Sequence, residues 1–268
     1  MKKYELTKDV RTMNDGTKVY RIRALRDIEE HDVIWGQMGG FVEKEFNLSQ
    51  AVSDTSWVDD EAVVMGQTEL VGSVLVQHNS VVEGDSKLYG HVIVTGKSHL
   101  VDTNLIGEEI QITENSRLFD VQLKGDRIHI SGNANLYNVR TDDTILGLRI
   151  TDDVFVEGSD PLVLGGVNIH LLDNVTIEEG ATIVGQRITL MNHASLLGQP
   201  TLKGIDIRLE DGASLIGDVR LGNDCKIKDT VEVRENEISF DPVLIGLRLE
   251  GDLALHVGEI YNIMKNSK

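Results

Sequence analysis

A repeat of six residues runs without insertion from Glu61 to Asn138, and it constrains the fold more than any other feature of the chain. The thirteen hexads read EAVVMG, QTELVG, SVLVQH, NSVVEG, DSKLYG, HVIVTG, KSHLVD, TNLIGE, EIQITE, NSRLFD, VQLKGD, RIHISG and NANLYN. The fourth place is Leu, Ile or Val in all of them except VQLKGD, where it is Lys124. The second place is mostly small or β-branched. Residues two apart on a strand share a face, so these two places predict short strands with an apolar inner face.

A longer period lies on top of the hexads, because the residue types at the second place recur at every third hexad. One face carries Ala62, Ser80, Ser98, Ser116 and Ala134, and another carries Val74, Val92, Ile110 and Ile128. Three strands therefore form one coil of eighteen residues, and such coils bury their apolar faces only by stacking on one another. This pattern is typical of the left-handed parallel β-helix, an all-β triangular solenoid.

The period lengthens after Asn138. Four glycines then fall nineteen residues apart and open the similar segments GLRI, GVNI, GQRI and GIDI: Gly147, Gly166, Gly185 and Gly204. We expect each coil here to gain one extra residue at one corner, where glycine would supply a positive φ or a bulge.

The ends of the chain differ from the repeat. The turn Asn14-Asp15-Gly16 before the alternating KVYRIRAL predicts a β-hairpin. We therefore divide the chain into a strand-rich N-terminal cap over 1–40, the β-helix over 41–255, and a tail or short helical cap over 256–268.

Charge narrows the partners that the chain can bind. It has 44 acidic and 26 basic residues, a formal net charge of −18, which disfavours direct binding of nucleic acid. Solvated carboxylates would keep a long solenoid soluble. Alternatively, an acidic rod would imitate nucleic acid and occupy the basic groove of a protein partner.

The remaining motifs point to few kinds of chemistry. HExxH, CxxC, GxSxG and dinucleotide motifs are absent from the sequence, so we predict no metal site and no cofactor. The phosphate-loop-like GHVIVTGKS has five residues between its glycines where four are required. Cys225 falls at an inward place and is expected to be a small buried hydrophobe.

No run approaches the roughly 18 apolar residues of a membrane helix, and MKKYELTKD lacks a signal-peptide core. We expect a cytoplasmic protein with no membrane partner.

Apolar residues at outward places form columns. One face has Val71 and Tyr89 beside Leu105 and Leu123, and another has Val101, Phe119 and Tyr137. Stacked apolar columns on a flat face mark association, so these seven residues are our predicted interaction surface and a homo-oligomer is the predicted partner. The alternative is that β-formers simply suit strands.

Several of these segments resemble a known family. The resemblance is carried by the hexads DSKLYG, NSRLFD and NANLYN and by the two segments that precede them, GQMGGFVEKEFNLSQ and SWVDDEAVVMG. In these parts the chain resembles the YdcK-like left-handed β-helix proteins of bacteria and phages. The resemblance covers roughly residues 18 to 138. Members of that family are often labelled putative transferases by likeness of fold, which implies no particular site.

One corner of the coils offers an enzymatic alternative. His91, Glu109 and Arg127 are eighteen residues apart, so a carboxylate would lie about 4.8 Å from an imidazole and could raise its basicity. Likeness to the hexapeptide-repeat acyltransferases implies that His91 would be the general base, oriented by Glu109, with acetyl-CoA or another acyl-CoA as cosubstrate. The alternative is an exposed ladder of alternating charges.

The chain departs from those acyltransferases in ways that favour binding over catalysis. In them a glycine directly follows the inward aliphatic residue and a long loop interrupts a coil; here the glycine comes two residues later and the hexads are uninterrupted. Our hypothesis is a non-catalytic, self-associating acidic interaction or scaffold protein, such as a phage or prophage accessory factor that binds a host or viral protein. An acyltransferase is the second hypothesis and an acidic nucleic-acid mimic the third.

Overall fold

A computed structural model describes residues 2–102, 104–141, 145–158, 162–178, 181–198 and 200–217 of the chain. Beyond these it describes the short segments 220–221, 225–228, 232–234, 248–250 and 254–255, and it describes side chains as far as residue 215. The chain divides into two compact units, 1–139 and 140–268. The boundary in the sequence is the point where the hexad repeat ends. The proposed tail over 256–268 lies outside the described residues.

The first unit consists of short parallel strands, and from Val58 onward paired positions are eighteen residues apart. Glu109 pairs with Arg127 and Arg117 pairs with Asn135, so the predicted coil length is confirmed here. The strands are Phe41–Val42, Val63–Val64, Asn104–Ile106, Glu109–Ile112, Arg117–Phe119, Gln122–Lys124, Arg127–Ile130 and Asn135–Tyr137. Two 3₁₀ turns, Glu29–His31 and Glu45–Asn47, are the helical elements of the described residues. The predicted all-β parallel β-helix is therefore confirmed.

The inner face of the first unit is apolar, with a column of hydroxyls at one edge. Ser80, Ser98 and Ser116 are buried, as the second place of the hexad predicts. Each hydroxyl donates to the carbonyl oxygen three residues before it, as Ser98 Oγ does to Thr95 O. A buried hydroxyl without a partner would destabilise the fold, and this local bond removes that cost where the chain turns a corner.

The N-terminal cap contains the predicted hairpin. Val10 and Tyr20 form an antiparallel bridge, and the amide of Arg11 donates to the carbonyl of Val19 at 3.2 Å. The second arm of the hairpin also bonds to the strand Phe41–Val42, since the amide of Tyr20 donates to Val42 O at 2.8 Å. The cap therefore adds backbone pairing to the segment that begins the first coil.

Phe41 is the point at which cap and coil join. Its strand pairs in parallel with Val63, which agrees with the expectation that GGFV begins the first coil. The guanidinium carbons of Arg11 and Arg21 lie 4.1 and 4.5 Å from the centre of the buried Phe41 ring. Both arginines also form ion pairs with Glu61, so cation–π and ionic contacts fix the hairpin to the coil.

The second unit is also built from parallel strands. Two of them, Val163–Leu172 and Thr182–Met191, are ten residues long. The full set is Arg140–Thr141, Gly147–Ile150, Phe155–Glu157, Val163–Leu172, Thr176–Ile177, Thr182–Met191, Ser195–Gly198, Thr201–Lys203, Asp206–Leu209, Ser214–Gly217, Arg220–Leu221, Cys225–Lys228, Glu232–Arg234, Arg248–Glu250 and Ala254–Leu255.

Coil length in the second unit differs from the prediction. Asn168 pairs with Arg187 and Arg187 with Asp206, and both pairs have the expected spacing of nineteen. Gly147, however, pairs with Asn168 and not with Gly166, so the first coil of this unit is longer than the two coils that follow it. Gly147 therefore does not stand in the column of corner glycines, and that part of the prediction was wrong. The similarity of GLRI to GVNI in the sequence suggested that these two segments pair. They do not, because the first coil has two residues more than the expected nineteen.

Glycine occupies the stacked corner positions for a different physical reason from the one expected. Gly166 pairs with Gly185, and a Cβ atom on Gly185 would lie 2.7 Å from Gly166 O. A Cβ atom on Gly204 would likewise lie 3.0 Å from Gly185 O. Close approach of one coil's backbone to the next requires glycine at Gly185 and Gly204, and a positive φ is not the cause there.

In two hexads of the first unit the buried residue stands one place earlier than the pattern predicts. Leu105 and Leu123 are fully buried and Ile106 is 37 % exposed, so the expectation that both leucines point to solvent was wrong. In TNLIGE and VQLKGD the glycine stands at the fifth place instead of the sixth, and the corner comes one residue earlier. A Cβ atom on Gly125 would collide with Gly107 O, so these glycines stack closely at the shifted corner. Lys124 is no longer an exception, because Leu123 takes the inward place.

Candidate functional site

The predicted corner column forms a chain of ionic contacts. His91 Nε2 lies 3.4 Å from Glu109 Oε2, and a guanidinium nitrogen of Arg127 lies 2.7 Å from Glu109 Oε1. The column follows from the hexads, because each of these residues holds a first place and successive coils are eighteen residues apart. Glu109 therefore bridges a histidine and an arginine.

The cap adds residues to this column that the sequence did not point to. Ser73, one coil before His91, donates its hydroxyl to Glu30 Oε1 at 2.7 Å, and Glu30 belongs to the 3₁₀ turn Glu29–His31. Burial lowers the pKa of His31, and the nearby His91 lowers it further while Glu30 opposes the shift. A 3₁₀ turn in the cap has no repeat to place it, so only the structure reveals that it faces this corner.

The arrangement is poorly suited to general-base catalysis. A general base needs a nitrogen lone pair within about 2.6–3.2 Å of the proton that it removes. His91 Nε2 faces Glu109, and His91 Nδ1 is buried without a hydrogen-bond partner. Nδ1 is therefore closed to a substrate, and Nε2 already faces a carboxylate. The acyltransferase hypothesis for His91 and Glu109 therefore gains no support from the geometry.

Two other histidines of the first unit repeat the same pairing. His78 Nδ1 lies 3.4 Å from Asp60 Oδ1, and His99 Nε2 lies 3.3 Å from Glu83 Oε1. These histidine side chains are exposed, and exposed ion pairs contribute little to stability individually. The repetition indicates that a carboxylate beside a histidine is a general feature of this unit's surface, which weakens any special role for His91. Within the described residues, no group of three or more His, Cys, Asp and Glu side chains is arranged to hold a metal ion.

The predicted interaction surface is retained in part. Leu105 and Leu123 are excluded by burial, while Tyr89 is 38 % exposed and Val71, one coil earlier, is half-buried. The other column is half-buried and in register: Val101, Phe119 and Tyr137. The rings of Phe119 and Tyr137 stack in parallel, with centroids 4.9 Å apart and planes at 5°. An aromatic ladder thus lines one flat face, and its role in association stays a prediction.

Five strongly exposed apolar side chains lie close together in the sequence, between residues 34 and 52. Trp35 and Val52 are each 72 % exposed. The set comprises Ile34, Trp35, Met38, Phe46 and Val52. A tryptophan this exposed is uncommon, since tryptophan carries a large apolar area and is highly buried on average. The sequence gives no signal for these exposures, because IWGQM lies outside any repeat that would assign an inward or outward place.

Comparison with known proteins adds no assignment. No protein-family model matches the chain, and neither the curated proteins nor the solved structures give a match. The resemblance to YdcK-like proteins therefore stays a prediction from the motifs. In the part of the chain that the structure describes, no helix has the length and apolar character needed to cross a membrane.

Proposed function

We propose that this chain is a non-catalytic interaction protein that self-associates through the apolar residues between Ile34 and Val52. The observation that carries the proposal is the exposure of Trp35 and its neighbours on an otherwise strongly charged chain. Exposed apolar side chains gathered on one region of a protein mark sites of association, and tryptophan is among the side chains most enriched at positions that dominate binding energy.

Charge supports a second copy of the chain as the occupant. Residues 1–52 hold nine basic and nine acidic residues, so residues 53–268, with 17 basic and 35 acidic, account for the whole net charge of −18. Two copies that met through their coils would repel one another. Contact through the charge-balanced N-terminal region avoids that repulsion, which makes association through this region electrostatically the least costly.

The test is the molar mass in solution, measured by light scattering during size exclusion. Wild-type protein is expected to be a dimer or larger, and Trp35→Glu is expected to raise the dissociation constant at least tenfold. Asn135→Glu is the matched control, because it adds the same charge at an outward place of a strand outside residues 34–52. A wild-type protein that stays monomeric at tens of micromolar would refute self-association.

The aromatic ladder is the alternative contact, and the same measurement separates the two. Tyr137→Glu puts a carboxylate on the stacked pair, two residues from the control position Asn135. If Tyr137→Glu dissociates the oligomer and Trp35→Glu does not, the contact lies on the flat face of the coils. That result would keep self-association and move its site.

A second function is favoured by the distribution of charge. Because the whole net charge lies in residues 53–268, the coils present carboxylates to a basic groove of a different protein. Such a complex would weaken steeply as salt rises from 50 to 500 mM, whereas an apolar contact at Trp35 would change little. Salt dependence of binding therefore distinguishes the acidic mimic from self-association.

A further inference from the structure

The outward face of three strands in the second unit carries an arrangement of side chains that the sequence pattern does not reveal. Gly147–Ile150, the residues Asn168–Leu171 and the residues Arg187–Leu190 stack in register. Their outward places form two columns: Gly147, Asn168 and Arg187 in one, and Arg149, His170 and Thr189 in the other. Two guanidinium groups and an imidazole from three successive coils thus lie on one face.

These positive groups are not alternated with carboxylates as they are in the first unit. There, His78, His91 and His99 each lie beside an Asp or Glu. His170 instead has Arg149 in the adjacent coil and Arg187 diagonally across the next. Asp206 follows Arg187 in the same column and forms an ion pair with Arg208 at 2.7 Å, and among the described residues no ion pair joins Arg149 or Arg187 to a carboxylate. Two guanidinium charges therefore share this face with no carboxylate between them, and a bound anion would neutralise them.

Gly147 leaves room for such an anion. A Cβ atom at Gly147 would meet no other atom within 4 Å, so the place beside Arg149 is open. Asn168 lies next in the column, and its side-chain amide donates to Leu146 O at 2.8 Å. Its oxygen accepts a hydrogen bond from Arg187 Nε at 2.6 Å, which holds the guanidinium of Arg187 beside Asn168. We name this opening the Gly147 notch, bordered by Arg149, Asn168, His170 and Arg187.

We propose that the Gly147 notch binds a phosphate group. Two guanidinium groups and an imidazole border the opening, and together they offer more donors than the two oxygens of a carboxylate can accept, whereas a phosphate has three acceptor oxygens. Burial lowers the pKa of His170, and Arg149 and Arg187 lower it further, so a dianion bound there would reverse the effect of both arginines.

Titration with inorganic phosphate, monitored by NMR of the His170 ring and by calorimetry, tests the proposal. Phosphate is expected to bind with a millimolar or lower dissociation constant and to raise the pKa of His170. Arg149→Gln is expected to weaken binding at least tenfold. Gly147→Val is expected to abolish it while leaving every basic residue in place, because the new side chain fills the notch without a clash.

The controls separate a site from general charge attraction. Lys203→Gln removes one exposed positive charge from the same unit outside the two columns, and it should leave phosphate binding unchanged. Equal weakening in Lys203→Gln and Arg149→Gln, or no shift of the His170 ring with wild-type protein, would overturn the proposal. Acetate that binds as tightly as phosphate would also overturn it. Methyl phosphate identifies the source: binding equal to that of inorganic phosphate indicates a phosphomonoester ligand, and weaker binding indicates the free ion.

Discussion

The ammonium group of Lys3 lies 2.5 Å from Asp54 Oδ1, and the Lys3 side chain is completely buried. Asp54 also accepts hydrogen bonds from the amide of Gly72 at 2.8 Å and from the hydroxyl of Ser56 at 3.2 Å. Burial lowers the pKa of Lys3, and the hydrogen bond to Asp54 opposes that shift. One buried ion pair thus fastens the start of the chain to the first coils.

Replacement of Lys3 by Met is expected to lower the free energy of unfolding by about 3–5 kcal/mol, because it leaves the Asp54 carboxylate buried without its counter-ion. Lys2→Met is the matched control, since the Lys2 side chain is 59 % exposed in its pair with Glu45 and should cost no more than about 1 kcal/mol. Urea denaturation of the three proteins measures both differences. Similar losses for Lys2→Met and Lys3→Met would contradict the ion pair's buried character.

Stability is expected to fall as pH drops through about 6.5, in part because of His31. Burial is the main cause that lowers the pKa of His31, so the unfolded chain binds a proton at this residue before the folded chain does. The stabilising contribution is therefore present above pH 6.5 and is lost as pH falls towards the folded pKa. His31→Gln should flatten the dependence of the urea midpoint on pH between 5 and 7.5. A slope equal to that of wild-type protein would show that other groups are responsible.

The shifted register of TNLIGE makes opposite predictions for two adjacent residues. Leu105→Ala should lower the free energy of unfolding by about 2–5 kcal/mol, because it opens a cavity at a fully buried place. Ile106→Ala removes a similar side chain that is 37 % exposed and should cost less than about 1.5 kcal/mol. Chemical denaturation of both variants decides the register. A larger loss of stability in Ile106→Ala than in Leu105→Ala would mean that the hexad pattern continues without a shift.

The glycine column can be tested with two alanine substitutions. Gly185→Ala would bring a methyl group to 2.7 Å from Gly166 O, and the required backbone shift should cost about 1–3 kcal/mol. Gly147→Ala meets open space and should be neutral, or stabilising by up to about 1 kcal/mol through the unfolded chain. Thermal unfolding of both proteins gives the comparison. Equal effects would mean that Gly185 is not held by close approach.

The repeat made much of the first unit predictable, because each hexad place has a fixed direction. The buried Ser80, Ser98 and Ser116, the contact of His91 with Glu109, and the stack of Phe119 on Tyr137 all follow from a spacing of eighteen residues. The prediction failed at Leu105 and Leu123 because a glycine had moved by one place. The signal was present in the sequence as Lys124 at an inward place and Gly107 and Gly125 at the fifth place.

The features outside the repeat could not be predicted in the same way. The exposure of Trp35 and the contact of Ser73 with Glu30 depend on how the cap folds over the coils, which no periodicity describes. The grouping of Arg149, His170 and Arg187 depends on a first coil that is longer than the coil after it. A constant period would have placed Gly147 beside Gly166 and hidden the notch.

Changes of coil length have a consequence for how such a chain can evolve. In the second unit a longer coil is followed by shorter ones, yet their strands remain paired. Pairing holds neighbouring strands about 4.7–4.9 Å apart whatever the length of the coil between them. Extra residues therefore extend sideways at a corner and leave the distance between successive side chains along the stack unchanged.

Insertions and deletions at corners can change the outline of a coil while the charged side chains on its faces keep a constant spacing. A partner that recognises this interval would tolerate changes in sequence length that would disrupt recognition on most other folds.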